Sequence, residues 1–313
     1  MTAANWQVVI VQFVADTLFK TLVVVPVLGG LVLVALVAGG NPFDLMRFDD
    51  LTRTISSMVG VLLAHPVALA AFLTALGVIL AGGSVLMFAV KAGSVTVLLD
   101  GDRSAGAIEE PPLRFSALKQ ANRATLERFT GGVRRLFPRY LRLGIALFVV
   151  YAMIALAYLV FLFGPPVSPI LDGPVATTLA SLAVIAAITL VNFLYLLTQI
   201  MIAAEDCSLS EAIPHVARLL RKRAKALAQV LAAILSLMLM ATAASILATT
   251  ALGLIAFVPF VGLAALPLQV FAWLVRGVVF QFVGLTGVAT YLRLHHALQP
   301  SGVRVPNGLL TRT

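Results

Sequence analysis

Two carboxylates stand close together in the stretch Asp100-Gly101-Asp102. Such a pair can bind a divalent cation that bridges a phosphate, as in phosphatidyl transferases. In those enzymes the motif continues into an Ala-Arg pair and further spaced aspartates, whereas Arg103-Ser104-Ala105-Gly106 follows here. The stretch therefore predicts a turn that ends a helix rather than a metal site.

The four histidines form no catalytic or metal-ligating pattern. His295 and His296 are adjacent, so on a helix they point about 100° apart and are poorly placed to share a metal ion. Intramembrane proteolysis needs a Ser-His pair or two aspartates inside apolar segments, whereas His65 lies at a span end and His215 in the basic segment 204–225. HExxH, GxxxxGK[ST] and GxGxxG motifs do not occur. We predict no catalytic residue, no metal and no cofactor, and favour a non-enzymatic protein.

Arg276 lies inside a long apolar segment, where inserting a guanidinium into lipid costs about 2.5 kcal/mol or more. The apolar segments contain no Asp or Glu in their centres, so the predicted partners are helix carbonyls and the amides of Gln269, Asn192 and Gln199. Asn192 and Gln199 are seven residues apart, as are Gln269 and Arg276, so each pair shares a helix face. These four residues predict a site for an anion or an anionic headgroup, facing a cavity in the outer leaflet. The alternatives are an interhelical hydrogen-bond clamp and an arginine that reaches the membrane surface.

The composition and the apolar runs of the chain are those of a membrane protein. The chain has 313 residues, of which 61% are hydrophobic and 11% charged, against about 45–50% and 25% in soluble domains. The recurring apolar runs match a hydrocarbon core about 30 Å thick and lack the alternation of barrel strands. The sequence predicts an all-α polytopic membrane helical bundle, a single integral membrane domain over residues 1–313. Its six spans are predicted at about 18–38, 66–90, 143–163, 176–200, 226–248 and 267–291.

The net charge of +9 indicates topology, because the basic residues flank the apolar runs. Segment 91–142 carries ten Lys and Arg residues and segment 204–225 carries five; with Lys20 and the tail, one side has nineteen against two on the other. We therefore predict a multi-pass protein of a bacterial inner membrane, with both basic segments and both termini in the cytoplasm. No positive residue precedes Lys20, so the first apolar segment is expected to be retained rather than cleaved as a secretory signal.

The two basic segments share a plan that indicates a parallel internal repeat. In each, an apolar helix ends in acidic residues, a helical segment and a basic cluster follow, and another span begins. Both helical segments are predicted to be amphipathic and to lie at the inner leaflet. Ser208 and Glu211 have the spacing of a capping box, although Pro214 also allows a helix start nearer Ser210. The basic cluster at the membrane surface consists of Arg221, Lys222, Arg223 and Lys225.

Three other connecting segments carry predictions. Residues 51–65 have apolar residues at helical spacing and predict a short amphipathic helix at the outer interface. Residues 163–174 are rich in proline and predict an irregular loop. Residues 251–266 are too apolar for a solvent loop, and predict either the outer part of a kinked helix or a re-entrant segment.

The stretch AAEDCSLSEA at 203–212, which leads through basic residues into an apolar span, and the closing Tyr291-Leu292-Arg293-Leu294 resemble a known family. It is the six-helix bacterial inner-membrane family that includes the membrane domain fused to some glycerophosphodiester phosphodiesterases. The resemblance covers most of the chain and implies a polytopic inner-membrane protein with no assigned reaction. The sequence contains no phosphodiesterase domain, so the activity of those fusions is not carried over.

Three functions are compatible with these patterns. The first is a non-enzymatic membrane protein that handles lipid or supports a membrane complex; its partners would be membrane lipids, including anionic ones, and a protein partner or second copy, but not nucleic acid. The second is a transporter or channel for a small or anionic solute, although coupling to protons or sodium would need an intramembrane acid. The third is an enzyme of phospholipid metabolism, which would require Asp100 and Asp102 to lie near Glu205 and Asp206.

Overall fold

The structure is a computed structural model that describes residues 2–37, 60, 63–105, 119–122, 124–163, 173–256 and 261–298. These ranges contain six long helices and no strand. All six are long and apolar enough to cross a membrane, which confirms the predicted all-α polytopic membrane protein. In chain order they are α1 (Trp6–Val37), α2 (Pro66–Ala105), α3 (Leu126–Phe163), α4 (Gly173–Glu205), α5 (Leu209–Ala256) and α6 (Val261–Leu298).

The helices extend well beyond the predicted spans. Helix α1 begins at Trp6 rather than near residue 18, and α2 continues from residue 90 to Ala105. Helices α3 and α5 begin at Leu126 and Leu209, each about seventeen residues before the predicted span. With 48 residues, α5 is about 72 Å long. The predicted spans end near charged residues, but the helices continue because their next turns pack against protein.

The chain forms two compact units. Unit 2 is Val11–Val90, in which α1 and α2 approach so closely that a Cβ atom on Gly83 would lie 2.0 Å from the ring of Phe19. Unit 1 is Met1–Ile10 together with Lys91–Thr313, and contains the described parts of α3 to α6. We call the end of unit 1 where α2, α4 and α6 end, and where α3 and α5 begin, the basic end.

The apolar core of unit 1 lies at the basic end. The most apolar stretches of the six helices are at most 22% buried, and side chains such as Phe148 and Leu247 are more than 70% exposed, as expected for surfaces that face lipid. The predicted amphipathic helices supply part of this core: Leu136 and Val216 are buried, whereas Leu126 at the start of α3 is 79% exposed. Fully buried core residues include Leu98, Leu99, Leu136, Tyr140, Ile202, Ala212 and Leu292.

Helices α3 and α4 are antiparallel and are joined by three tyrosines that share one face of α3. The tyrosines are eleven and seven residues apart, which is about three and two helical turns, so all three lie on the same side of α3. Each one forms a hydrogen bond with a group on α4. The Tyr140 hydroxyl donates to the Gln199 carbonyl (3.1 Å), the Tyr151 hydroxyl donates to Asn192 Oδ1 (2.6 Å), and Tyr158 pairs with Ser181 (2.9 Å). Hydrogen bonds of this kind hold helices together where the hydrophobic effect is weak.

Residues 206–208 connect α4 to α5 through a tight turn. Asp206 has a φ of 52°, a left-handed conformation that Asp tolerates better than most residues. The Ser208 backbone N–H donates to Glu211 Oε2 (2.8 Å), and the Ala212 N–H donates to the Ser208 carbonyl (2.9 Å). The first of these bonds is one half of the predicted capping box, and α5 begins at Leu209, with Pro214 inside the helix.

The remaining connecting segments are described only in part. The predicted amphipathic helix at 51–65 lies outside the described residues except for 60 and 63–65, and the predicted loop at 163–174 lies outside except for 163, 173 and 174. Residues 251–256 are the last turns of α5 and 261–266 are the first turns of α6, while 257–260 lie outside the described residues. Most of this apolar segment therefore extends the two helices.

Gln12 of α1 provides a stability prediction. It is only 9% exposed, and its side-chain Oε1 has no hydrogen-bond partner. A buried polar atom without a partner costs about 1–3 kcal/mol. We expect Gln12→Leu to raise the free energy of unfolding by about 1 kcal/mol, measured as a higher thermal midpoint in detergent. Gln7→Leu, at an exposed position of the same helix, is the matched control; a Gln12 variant that is no more stable than this control would contradict the expectation.

Candidate functional site

A cavity of about 570 Å³ lies between α5 and α6. The two helices run antiparallel. The wall on α5 consists mainly of small side chains that repeat every three or four residues and so share one face. They are Ala241, Ala244, Ser245, Ala248, Thr249 and Gly253. Small residues often let helices touch, but here they leave space between α5 and α6.

The wall on α6 carries two of the predicted site residues. Gln269 and Arg276 both line the cavity, next to Trp273 and Phe280. The guanidinium carbon of Arg276 lies 5.7 Å from the centroid of the Phe280 ring, within the range of a cation–π contact. The Arg276 side chain is exposed rather than enclosed by protein. The cavity is therefore apolar except for one exposed cation and a few neutral polar groups.

The depth of Arg276 follows from the helix register. A Cβ atom on Gly287 would lie 2.9 Å from Ile234, which places these two residues opposite each other on α6 and α5. Ser245 is eleven residues from Ile234 and Arg276 is eleven residues from Gly287, so the two stand at the same level. At 1.5 Å per residue, Arg276 lies about 13 Å along α6 from Leu285, where the helix becomes buried in the basic-end core. Arg276 is thus well inside the apolar part of α6.

Asn192 and Gln199 lie elsewhere, at the interface of α3 and α4. Asn192 accepts the hydrogen bond from Tyr151, and the buried Gln199 donates from Nε2 to the Tyr195 hydroxyl (2.7 Å). The ammonium nitrogen of Lys91 lies 5.2 Å from the centroid of the Tyr195 ring. The structure therefore brings Gln269 and Arg276 together, and gives Asn192 and Gln199 tyrosine partners instead.

A second polar cluster, at the basic end, joins α2, α4 and α5 to α6. The buried Asp102 of α2 forms an ion pair with Arg293 of α6 (2.9 Å). Glu205 of α4 contacts His215 Nδ1 of α5 and lies 3.5 Å from His295 Nε2 of α6. Asp102 and Glu205, the acids at the ends of the apolar helices in the two repeat halves, therefore each contact a basic residue of α6. The sequence did not predict these ion pairs. Asp102 and Arg293 are about 190 residues apart, and no spacing pattern links residues at that separation.

The acids of the two halves do converge on the basic end, as the enzyme hypothesis requires. The Arg103 guanidinium donates to the Ala204 carbonyl (3.4 Å), which brings the ends of α2 and α4 together. Three of these acids, however, are paired with basic groups: Asp102 with Arg293, Glu205 with His215, and Asp206 with Arg139. Among the described residues, no group of three or more His, Cys, Asp or Glu side chains could hold a metal ion. Burial raises the pKa of the Cys207 thiol, which makes it a weak nucleophile at neutral pH.

The predicted surface cluster Arg221, Lys222, Arg223 and Lys225 is exposed along α5. The helix is kinked at Arg223, where φ is −137° and ψ is 26°. Two residues after Lys225, Leu227 is buried, and its carbonyl accepts a hydrogen bond from Tyr291 (3.3 Å). The kink therefore lies within the exposed basic run of α5, four residues before the buried Leu227.

Comparison with known proteins finds no relative of this chain. No protein-family model matches the chain, and no curated protein and no solved structure matches it either. The resemblance to the six-helix inner-membrane family stays a prediction.

Proposed function

We propose that this membrane protein binds lipid, and that the cavity between α5 and α6 holds an anionic lipid beside Arg276. The observation that carries the proposal is an exposed guanidinium on the wall of a largely apolar cavity. The cavity volume of about 570 Å³ lies within the range of small-molecule sites, about 300–1,000 Å³. An apolar lining suits an acyl chain, and a guanidinium suits a carboxylate or phosphate.

Electrostatics supports an anionic ligand over a neutral one. No carboxylate of the described residues forms an ion pair with Arg276. A guanidinium in the apolar part of a helix costs about 2.5 kcal/mol or more, and the contact with Phe280 offsets only about 0.5–2 kcal/mol of this. An anion beside Arg276 would offset the rest, and anionic lipids are available throughout a bacterial membrane.

The proposal places the basic end of unit 1 in the cytoplasm of a bacterial cell, with the chain in the inner membrane. The support is the excess of Lys and Arg on that side, including the exposed run from Arg221 to Lys225. These side chains would also attract anionic headgroups of the inner leaflet, by about 1 kcal/mol for each charge near the surface. The chain would therefore meet anionic lipid at its surface as well as in the cavity.

The test is native mass spectrometry of the protein extracted in a mild detergent, comparing the wild type with Arg276→Leu. We expect the variant to retain about tenfold less of one anionic lipid, because a hydrogen bond to a charged group contributes about 1.5–3 kcal/mol. Arg276→Lys, which keeps the positive charge, should retain an intermediate amount. Arg134→Leu removes an arginine at an exposed position of α3 and serves as the control.

A different result would assign Arg276 another role. If Arg276→Leu retains the same lipids as the wild type but unfolds at a lower temperature, Arg276 is an interhelical clamp and the proposal is wrong. If the control loses the lipid equally, binding depends on overall charge and not on this site.

A further inference from the structure

We infer that the α5–α6 cavity holds a single acyl chain whose own anionic headgroup contacts Arg276. The inference rests on the proposed lipid-binding function and specifies its ligand. The shared chemistry is one negative headgroup joined to one chain inside the cavity. The source is either a single-chain amphiphile, such as a fatty acid, or one chain of a two-chain phospholipid whose second chain stays in the bilayer.

The cavity volume supports one chain rather than two. A cavity of about 150 Å³ in a protein core holds benzene, which has six carbon atoms, or about 25 Å³ for each carbon. By this measure 570 Å³ holds about 20 carbon atoms. That is the size of one long acyl chain with a small headgroup, whereas the two chains of a phospholipid would need about twice the space.

The shape of the cavity also suits a chain. Its wall on α5 runs from Ala241 to Gly253, and twelve residues of helix span about 18 Å. The α5 side chains that line the cavity along this length are small, except for Leu252, so they form a groove rather than a round chamber. On the opposite side Trp273 and Phe280 present broad apolar surfaces. An extended hydrocarbon chain would contact both walls along the groove.

The position of Arg276 fixes where the headgroup lies. The residue at its level on α5 is Ser245, whose short side chain leaves room for a small polar group next to the guanidinium. Ser245 lies four residues from one end of the groove and eight from the other, so the chain extends from an interior point of the groove. A hydroxyl and a guanidinium at the same level of one apolar groove fit a carboxylate or phosphate oxygen with a chain attached.

The fluorescence of Trp273, which lines the cavity, can report which molecule occupies it. The sequence has two tryptophans, Trp6 and Trp273, so Trp6→Phe leaves the cavity residue as the only one. This variant is placed in nanodiscs of phosphatidylcholine with about 2% of a brominated probe, a low density at which random encounters quench little. The probes are dibromostearic acid, a phosphatidylglycerol with one brominated chain, and a phosphatidylcholine with one brominated chain. We expect one of the two anionic probes to quench Trp273 with saturation at one molecule per protein, at about tenfold lower mole fraction than the zwitterionic probe.

Two variants separate the chain from the headgroup. Ala248→Phe fills the groove and leaves Arg276 in place, and should abolish the saturable quenching. Arg276→Gln leaves the groove open and should reduce the preference for the anionic probe about tenfold. Ala155→Phe, at an exposed position of α3, is the matched control and should quench like the parent protein.

The outcomes are distinct. Saturation by dibromostearic acid identifies a single-chain ligand, and saturation by phosphatidylglycerol alone identifies one chain of a two-chain lipid. Quenching that is equal for all probes and unchanged in Ala248→Phe overturns the inference, even if native mass spectrometry shows a lipid lost in Arg276→Leu. Quenching that is lost in Ala248→Phe but insensitive to Arg276→Gln keeps the chain in the cavity and refutes the headgroup contact, and with it the proposed anionic selectivity.

Discussion

Asp102→Ala is expected to lower the free energy of unfolding by about 3–5 kcal/mol, the usual effect of breaking a buried ion pair. The Asp102 side chain is 3% exposed and faces Arg293, which is 23% exposed, at 2.9 Å. Without the carboxylate, the guanidinium remains in a largely apolar core and loses the charge that compensated its desolvation. The measurement is thermal or denaturant unfolding in detergent, followed by tryptophan fluorescence.

The control is Glu127, an exposed acid in the first turn of α3. Because substitutions at exposed positions change stability by at most about 0.5 kcal/mol, Glu127→Ala should have little effect. The double variant Asp102→Leu with Arg293→Met should regain most of the lost stability, since apolar side chains can replace a buried pair at little cost. Equal effects of Asp102→Ala and Glu127→Ala would contradict the role assigned to the basic-end cluster.

Gly132→Leu is expected to destabilise the protein by about 3 kcal/mol, the upper end for overpacking a core. Gly132 of α3 faces Thr96 of α2, and a Cβ atom there would lie 2.4 Å from the Thr96 hydroxyl oxygen and 2.5 Å from its Cβ. A few residues away, a Cβ atom on Gly93 of α2 would lie 2.5 Å from the ring of Phe129. The two helices would have to separate where they now touch.

Its neighbour Gly131 is the matched control, because a Cβ atom at that position meets nothing within 4 Å. Gly131→Leu should leave stability unchanged or slightly raised, since leucine favours helix more than glycine does. The double variant Thr96→Gly with Gly132→Ala removes the side chain on α2 and adds a methyl group opposite it on α3. It should be more stable than Gly132→Ala alone. If Gly131→Leu and Gly132→Leu are equally stable, the close approach of α2 and α3 is refuted.

The sequence predicted the fold class because lipid imposes a simple rule. A segment of about 20 apolar residues must form a helix, since lipid offers no partner for a free backbone N–H. The face shared by Gln269 and Arg276 was predictable for a similar reason, because a spacing of seven residues returns to the same side of any helix. Both inferences need only local sequence.

Helix ends and partners were not predictable in this way. The sequence predicted that lipid ends at Lys91 and near Arg142, but not that protein packing continues both helices past those points. Likewise, Asn192 could be recognised as an intramembrane amide but not as the partner of Tyr151, which lies on another helix. Contacts of this kind depend on the relative rotation and depth of two helices, which no periodicity within one helix encodes.

The uneven burial in unit 1 has a mechanical consequence for α5 and α6. Their ends are fastened in the basic-end core, where Tyr291 binds the Leu227 carbonyl and Leu292 is fully buried, while their apolar parts flank a cavity. Helices in a bilayer respond to hydrophobic mismatch chiefly by tilting, at a cost of fractions of a kcal/mol per Å. A pair anchored at one end would convert such a tilt into a change of cavity width, so bilayer thickness would set how much room the groove beside Arg276 offers.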